Sequence, residues 1–352
     1  MRSHLIITLL LCLTATHLCA DGSPTFTVGD RETIATKAQR DVLGLKWFPD
    51  GNLGIVQTTG QRIQFYGANG ASPVRVTGTP KDPLQKVEPV TIATTNTHFR
   101  YLAGGPAYRD PSSQRLFLFY HAEIHRGTSQ NFYSVIGLSV QADADGLAFQ
   151  DLGPIFTPNI PDAHAPNIVE ICGAPYIIRD GYFYVYARDV ISDGHPRENN
   201  LSVARASVAE VIQAGLAGRP ATWAKWNGTA FSEPAIGGCS APLETGNPGT
   251  RWMDITYNTA LQKYVMVVAV DTSPKTVELF VTWSDDGITW AERKKLVTED
   301  GESFYPSIVG FEDAPRQTGP HFYVYYIFSE KGGWNRWDDA VIVRRKIAIA
   351  DE

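Results

Sequence analysis

The chain has 352 residues, a formal net charge of −6, 43% hydrophobic residues and only 19% charged ones. An acid-leaning chain without a long Lys/Arg run lacks the electrostatic footprint of a sequence-independent nucleic-acid binder. No segment approaches the roughly eighteen consecutive apolar residues that a bilayer-spanning helix needs, so neither nucleic acid nor membrane is an expected partner.

Residues 1–20 read as an export signal: Arg2 gives a weakly positive start, Leu5 to Leu13 an apolar stretch, and Leu18-Cys19-Ala20 a small residue before cleavage. The expected location is therefore secreted or periplasmic, with a mature chain beginning near Asp21 and residues 21–352 forming one repeated domain. Loss of Cys12 and Cys19 with the signal leaves Cys172 and Cys239. An oxidising compartment allows that pair to form a disulfide, and two small buried thiols are the other reading; spacing alone leaves both open. Neither has the neighbouring Cys or His of a zinc site. No cofactor or metal is expected, and nothing indicates a central cation.

From there the chain repeats itself. A less regular first unit combines VLGLKWF (42–48), LGIVQTT (53–59), RIQFYGA (62–68) and PVRVTGT (73–79), with Asp50-Gly51 and Asn69-Gly70 as turn signals. The second opens with THFRYLAGGPAY (97–108), continues through RLFLFYHAE (115–123) and ends in the hairpin GLSVQADADGLAFQDLGPIF (137–156). The third comprises APNIVEICGAPYII (165–178), YFYVYARD (182–189), LSVARA (201–206) and WAKWNGTAF (223–231), with Val208, Val211, Ile212 and Leu216 at helical spacing between its last two strands. The fourth runs from RWMDITYN (251–258) through KYVMVVAVD (263–271) to LFVTWSDDGITWAERKKLV (279–297), and the fifth from SFYPSIVGF (303–311) through HFYVYYIFSE (321–330) to DAVIVRRKIAI (339–349). Apolar alternation, Asp-Gly hairpins and regular spacing predict an all-β fold, a single five-bladed β-propeller of four-stranded blades with a small helical insertion in the third. The aromatic second strands should pack between neighbouring blades. A β-sandwich would account for strands and turns but not for five similar openings.

The succession of inner strand, aromatic second strand and S-x-DG-x-x-W/F hairpin resembles the five-bladed β-propeller glycoside hydrolases, the broad group of arabinanases, β-xylosidases and levan- or inulin-degrading enzymes. The resemblance extends over nearly the whole mature chain as a blade pattern. It implies a carbohydrate substrate and three carboxylates projecting into a central funnel as base or nucleophile, acid, and a helper that tunes the acid. It also implies an Asp near the start of the first inner strand, for which the nearby candidate is Asp41 in QRDVLGL.

Glycosidic cleavage needs one carboxylic acid to protonate the leaving oxygen and one carboxylate to attack or to activate water. The positions to inspect are the starts of inner strands and the ends of second strands, which yields Asp41, Glu170, Asp254 and Glu302, with Glu123 and Asp189. Asp254 and Glu170 lie amid apolar residues, where a carboxylate is costly unless paired or used. With Asp41 and Glu123 they make the expected catalytic set. A salt bridge to Arg251, or a hydrogen bond to a turn, would explain Asp254 and Glu170 without catalysis. His98, Arg100, His121, His164, Arg188 and Arg251 are candidates for sugar hydroxyls or an acidic sugar, although His121 and Arg188 could equally tie blades together. Tyr101, Trp252, Tyr305, Trp334 and Trp337 offer flat faces to a sugar ring.

Three functions follow. A secreted glycoside hydrolase acting on a poly- or oligosaccharide by carboxylate acid/base chemistry comes first. A polysaccharide lyase would instead use His98 or His121 with a Tyr, and Arg100 or Arg188 would neutralise a uronate. A non-catalytic carbohydrate-binding propeller is the third. The chain carries no G-x-S-x-G elbow, Walker loop, Rossmann fingerprint or H-E-x-x-H; sugar, linkage, exo or endo action, stereochemistry and oligomeric state stay open.

Overall fold

A computed structural model describes residues 23–58, 62–162, 168–189, 200–244, 249–273, 276–311, 316–331 and 337–350. Its strands form five antiparallel-based sheets arranged as the blades of a propeller. The inner strands are Gly54–Thr58, Phe99–Arg109, Cys172–Arg179, Thr250–Asn258 and Glu302–Gly310. Each pairs antiparallel with a second strand, respectively Arg62–Asn69, Leu116–Arg126, Tyr182–Asp189, Lys263–Ser273 and His321–Ser329, aromatic-rich in every blade but the fourth.

The second strands carry the interblade core. Phe119 and Tyr176 meet at 5.3 Å and Tyr108 stacks edge-on to Phe183 at 4.9 Å, joining blades two and three. Tyr66 meets Phe149 between blades one and two, and Phe65 meets Tyr325 between blades one and five. Offset and edge-on aromatic pairs of this kind contribute about 0.5–1.5 kcal/mol each beyond the area they bury, so a blade's stability depends on its neighbours.

The two Asp-Gly hairpins are built alike. Asp143 accepts from the backbone N–H groups of Gly146, Leu147 and Ala148; Asp286 accepts from those of Ile288 and Thr289 and from the Ser284 hydroxyl. Each turn then takes a phenol from the preceding blade's second strand, Tyr66 donating to Gly146 O at 2.8 Å and Tyr186 to Gly287 O at 2.9 Å. The repeated sequence element is thus a repeated interblade latch.

The third-blade insertion forms the helix Val208–Leu216, capped by Ser207 and burying Val211 and Ala214. Three details depart from the sequence reading. Residues 42–48 form no strand: they follow the short helix Lys37–Val42, and the fourth strand of blade one is Lys86–Pro89. WAKWNGTAF is not one strand, because Asn227-Gly228 turns it into the pair Ala224–Trp226 and Phe231–Pro234. Blade five takes its outer strand from the far end of the chain: Phe26–Ala35 lies antiparallel to Val341–Ile349, with Phe26 opposite Ile349, and closes the ring. Among the described residues no helix is long and apolar enough to cross a membrane. No disulfide joins Cys172, which is buried, to Cys239, which is half-buried.

Candidate active site

The segment before the first inner strand is drawn tightly into the ring. Asn52 donates from Nδ2 to Met253 O (2.6 Å) and Pro306 O (3.2 Å), and Leu53 N donates to the Ser307 hydroxyl (3.0 Å). Gly54 crosses blade two so closely that a Cβ there would lie 2.0 Å from Gly105 O, an approach only glycine permits. These ties hold Asp50 against blades two and five. Tyr101 donates its phenol to Asp50 Oδ2 at 3.0 Å, and Tyr305 donates to Oδ1 at 2.9 Å.

Blade two contributes a second carboxyl. His121, Glu123 and His125 alternate along the second strand and so share one face. His121 Nε2 lies 3.2 Å from Glu123 Oε1 and His125 Nε2 lies 2.6 Å from Oε2. The other ring nitrogen of His121, Nδ1, lies 3.1 Å from Ile171 O, and the ring stands edge-on to Tyr101 at 5.6 Å. A carbonyl can only accept, so His121 carries a proton on Nδ1. Ile171 adjoins the third carboxyl, Glu170 of blade three, which forms an ion pair with the buried Arg188.

The settings of Asp50 and Glu123 differ electrostatically. Burial pushes the Asp50 carboxyl above its ordinary value, and the hydrogen bonds from Tyr305 and Tyr101 oppose that without cancelling it. Burial also pushes Glu123 up, but the hydrogen bond and charge of His121, then those of His125, outweigh it and hold Glu123 below the usual carboxylate range. Burial and the Asp50 carboxylate raise both Tyr101 and Tyr305 well above an ordinary phenol, so both remain hydrogen-bond donors throughout the neutral range.

Aromatic faces flank Asp50 on the blade-five side. Tyr305 packs on Trp252 with centroids 4.5 Å apart and lies nearly parallel to Trp337 at 6.5 Å. Tyr305 has φ +51°, and the register of its strand slips between Phe304 and Ser307. A bulky residue in the left-handed region is strained backbone, of the kind found at functional sites.

The other sequence candidates lie elsewhere or bond differently. Asp41 sits on the short helix Lys37–Val42, exposed and paired with Lys37 at 2.5 Å. Its carboxyl is held below the ordinary value, chiefly by the hydrogen bond from Lys37. Asp254 is fully buried, but its partner is Arg316 (2.7 Å), not Arg251, and it also accepts from the backbone N–H of Ile308 (2.6 Å) and Ile255 (2.9 Å). Arg251 pairs with Asp271 at 2.6 Å. Asp189 is buried against Lys225 and Ser240, and Glu302 is buried at the start of the fifth inner strand. His98 and Arg100 are exposed. His164 and Trp334 lie outside the described residues. Arg316 faces a separate cavity of about 530 Å³, lined by later positions of the inner strands, among them Ile55, Ala107, Tyr176 and Tyr257. Asp50, Glu123 and Glu170 are not among the residues lining that cavity. No group of three or more His, Cys, Asp or Glu placed to hold a metal ion occurs among the described residues.

Asp50 is the site residue that sequence reading passed over. Its signal is an acid just before the first inner strand, masked because Asp-Gly also marks a turn.

The sequence matches no family model and no curated protein. In three dimensions the chain is similar to the catalytic domain of a GH62 α-L-arabinofuranosidase from Coprinopsis cinerea, with TM-score 0.52 and 9% identity over 85% of this chain and 90% of that one. It is similar to a family 117 glycoside hydrolase from Zobellia galactanivorans, with TM-score 0.54 and 10% identity over 92% and 90%. An α-L-arabinanase from Cellvibrio cellulosa aligns with TM-score 0.52 and 11% identity over 86% and 92%. At such identities the likeness is one of fold, the five-bladed propeller.

Proposed function

We propose that the chain is a secreted glycoside hydrolase that cleaves a poly- or oligosaccharide by carboxylate acid/base catalysis. The observation that carries the reading is the joining of Asp50 and Glu123, from two consecutive blades, in one polar cluster through Tyr101 and His121, with His121 also reaching Ile171 O beside Glu170 of the third blade. The fold shared with arabinofuranosidase and arabinanase structures points to the same chemistry.

Asp50 and Glu170 are the acting pair, one protonating the leaving oxygen and the other attacking or activating water. Glu123 has an imidazole on each oxygen and tunes the site. Trp337, half-buried beside Tyr305, offers the flat face for a sugar ring, while Tyr305 and Trp252 are buried core residues. Asp254, tied down by Arg316 and two backbone N–H groups, and Asp41, out on a surface helix, fall outside this set.

A panel of polysaccharides digested with the protein, with products read by mass, tests the proposal. Hydrolysis adds water to the products. Glu170→Gln and Asp50→Asn should each lose about 10²–10⁴-fold in turnover. The variant lacking the acid should recover on aryl glycosides with good leaving groups, which assigns the two roles. Products lacking added water and absorbing in the near ultraviolet would make the protein a lyase. Of the two arginines that reading offers for a uronate, Arg188 is engaged by Glu170 and Arg100 is exposed. Saturable glycan binding without product would leave a binding propeller and sink the catalytic proposal.

A further inference from the structure

We infer that Tyr305 and Tyr101 form a two-phenol clamp that fixes the orientation and proton affinity of Asp50, and that the strained backbone at Tyr305 is the device that delivers one arm of it. Tyr305 is a positioning residue on this view. The kinetic consequence rests on the reading of Asp50 as a catalytic carboxyl; the clamp itself does not.

The geometry is symmetrical in its chemistry and asymmetric in its construction. One phenol reaches each carboxylate oxygen, Tyr101 from blade two and Tyr305 from blade five. A carboxylate bonded at one oxygen can still swing about its Cβ–Cγ bond; bonded at both, from opposite sides, it cannot without losing a donor. Tyr101 reaches Asp50 from a β-strand position. Tyr305 does so only by adopting φ +51° within its strand, beside the slip between Phe304 and Ser307. Such conformations cost on the order of 1–3 kcal/mol and persist where the surroundings over-determine them. Here the surroundings are Trp252 and Trp337, which grip the Tyr305 ring. The groups facing Asp50 are Tyr101, His121 and Glu123 of blade two and Tyr305 of blade five. Of these, only the two tyrosines donate hydrogen bonds to it, and both favour its ionised form.

The test is Tyr305→Phe, which keeps the ring and removes the hydroxyl. Side-chain carboxyl ¹³C resonances are followed through a pH titration, with the Asp50 signal identified by its absence in Asp50→Asn. A hydrogen bond to a charged group is worth enough to move the midpoint by about one pH unit, so Asp50 should titrate higher by about that much in Tyr305→Phe. On a cleaved substrate, kcat should fall with KM little changed, and the limb of the pH–rate profile that belongs to Asp50 should move upward. Tyr101→Phe, on the opposite arm, should act in the same direction and serves as the test if Tyr305→Phe does not fold. An Asp50 midpoint unmoved in the folded variant overturns the clamp. If the wild-type protein hydrolyses nothing on the panel, the catalytic reading falls while the titration still decides whether the clamp exists.

Discussion

Asp50 and Asp254 belong to inner segments of the same ring, and Asn52 ties those segments together by donating to the carbonyl beside Asp254. Their neighbours are opposite in kind. Asp254 has a guanidinium at 2.7 Å and two backbone N–H groups, a full set of partners for a buried anion. Asp50 has two neutral phenols, a nearby carboxylate and no cation bonded to it. Burial by itself therefore does not mark a catalytic acid. An incompletely compensated carboxyl in a polar, aromatic-walled setting is the better sign.

The comparison can be broken most sharply by amide substitution at both sites. Asp50→Asn should lower turnover by about 10²–10⁴-fold while leaving the melting temperature no lower than that of wild type. The sign follows from the raised carboxyl: at neutral pH the folded state bears the cost of an anion it holds poorly, and the amide removes that cost. Asp254→Asn removes the carboxylate that pairs with the Arg316 guanidinium and should destabilise the fold by about 3–5 kcal/mol, read by chemical denaturation. Equal melting losses at the two sites would erase the distinction.

Gly54→Ala probes the backbone that carries Asp50. Its Cβ would collide with Gly105 O, so blades one and two must separate, at a cost of about 1–3 kcal/mol. Turnover should fall more than stability alone would account for, because Asp50 moves with the strand. The smallest effect concerns Glu123. Its depressed carboxyl contributes stability that is present above its unfolded value of about 4.3 and is lost as pH falls through the lower folded value. Asp50 works in reverse, its contribution improving as pH falls through its raised value. Acid-unfolding curves of Glu123→Gln and Asp50→Asn should therefore deviate from wild type in opposite senses.

The blades were legible because their signals are local: alternation, aromatic second strands and Asp-Gly turns each lie within about ten residues. The latches that Tyr66 and Tyr186 make were hidden, since each acts on the next blade. The site was legible only in part for the same reason. Glu170 and Glu123 lie beside recognisable strands, whereas Asp50 gains its meaning from phenols 51 and 255 residues away. The ion pair of Asp254 likewise depends on Arg316, 62 residues on. Arg251 was nearer in sequence and was the natural guess.

The strand Phe26–Ala35 precedes the first blade in sequence, yet its place is beside Val341–Ile349 of the fifth. The outer edge of the fifth blade therefore stays unpaired until these two segments, separated by four blades of chain, meet. Blades one and five meet through Phe65 and Tyr325, the bonds from Asn52 and Leu53, and the Tyr305 phenol on Asp50, so the Asp50 clamp should form only when blade five closes against blade one. A half-made chain would have blades but no working centre.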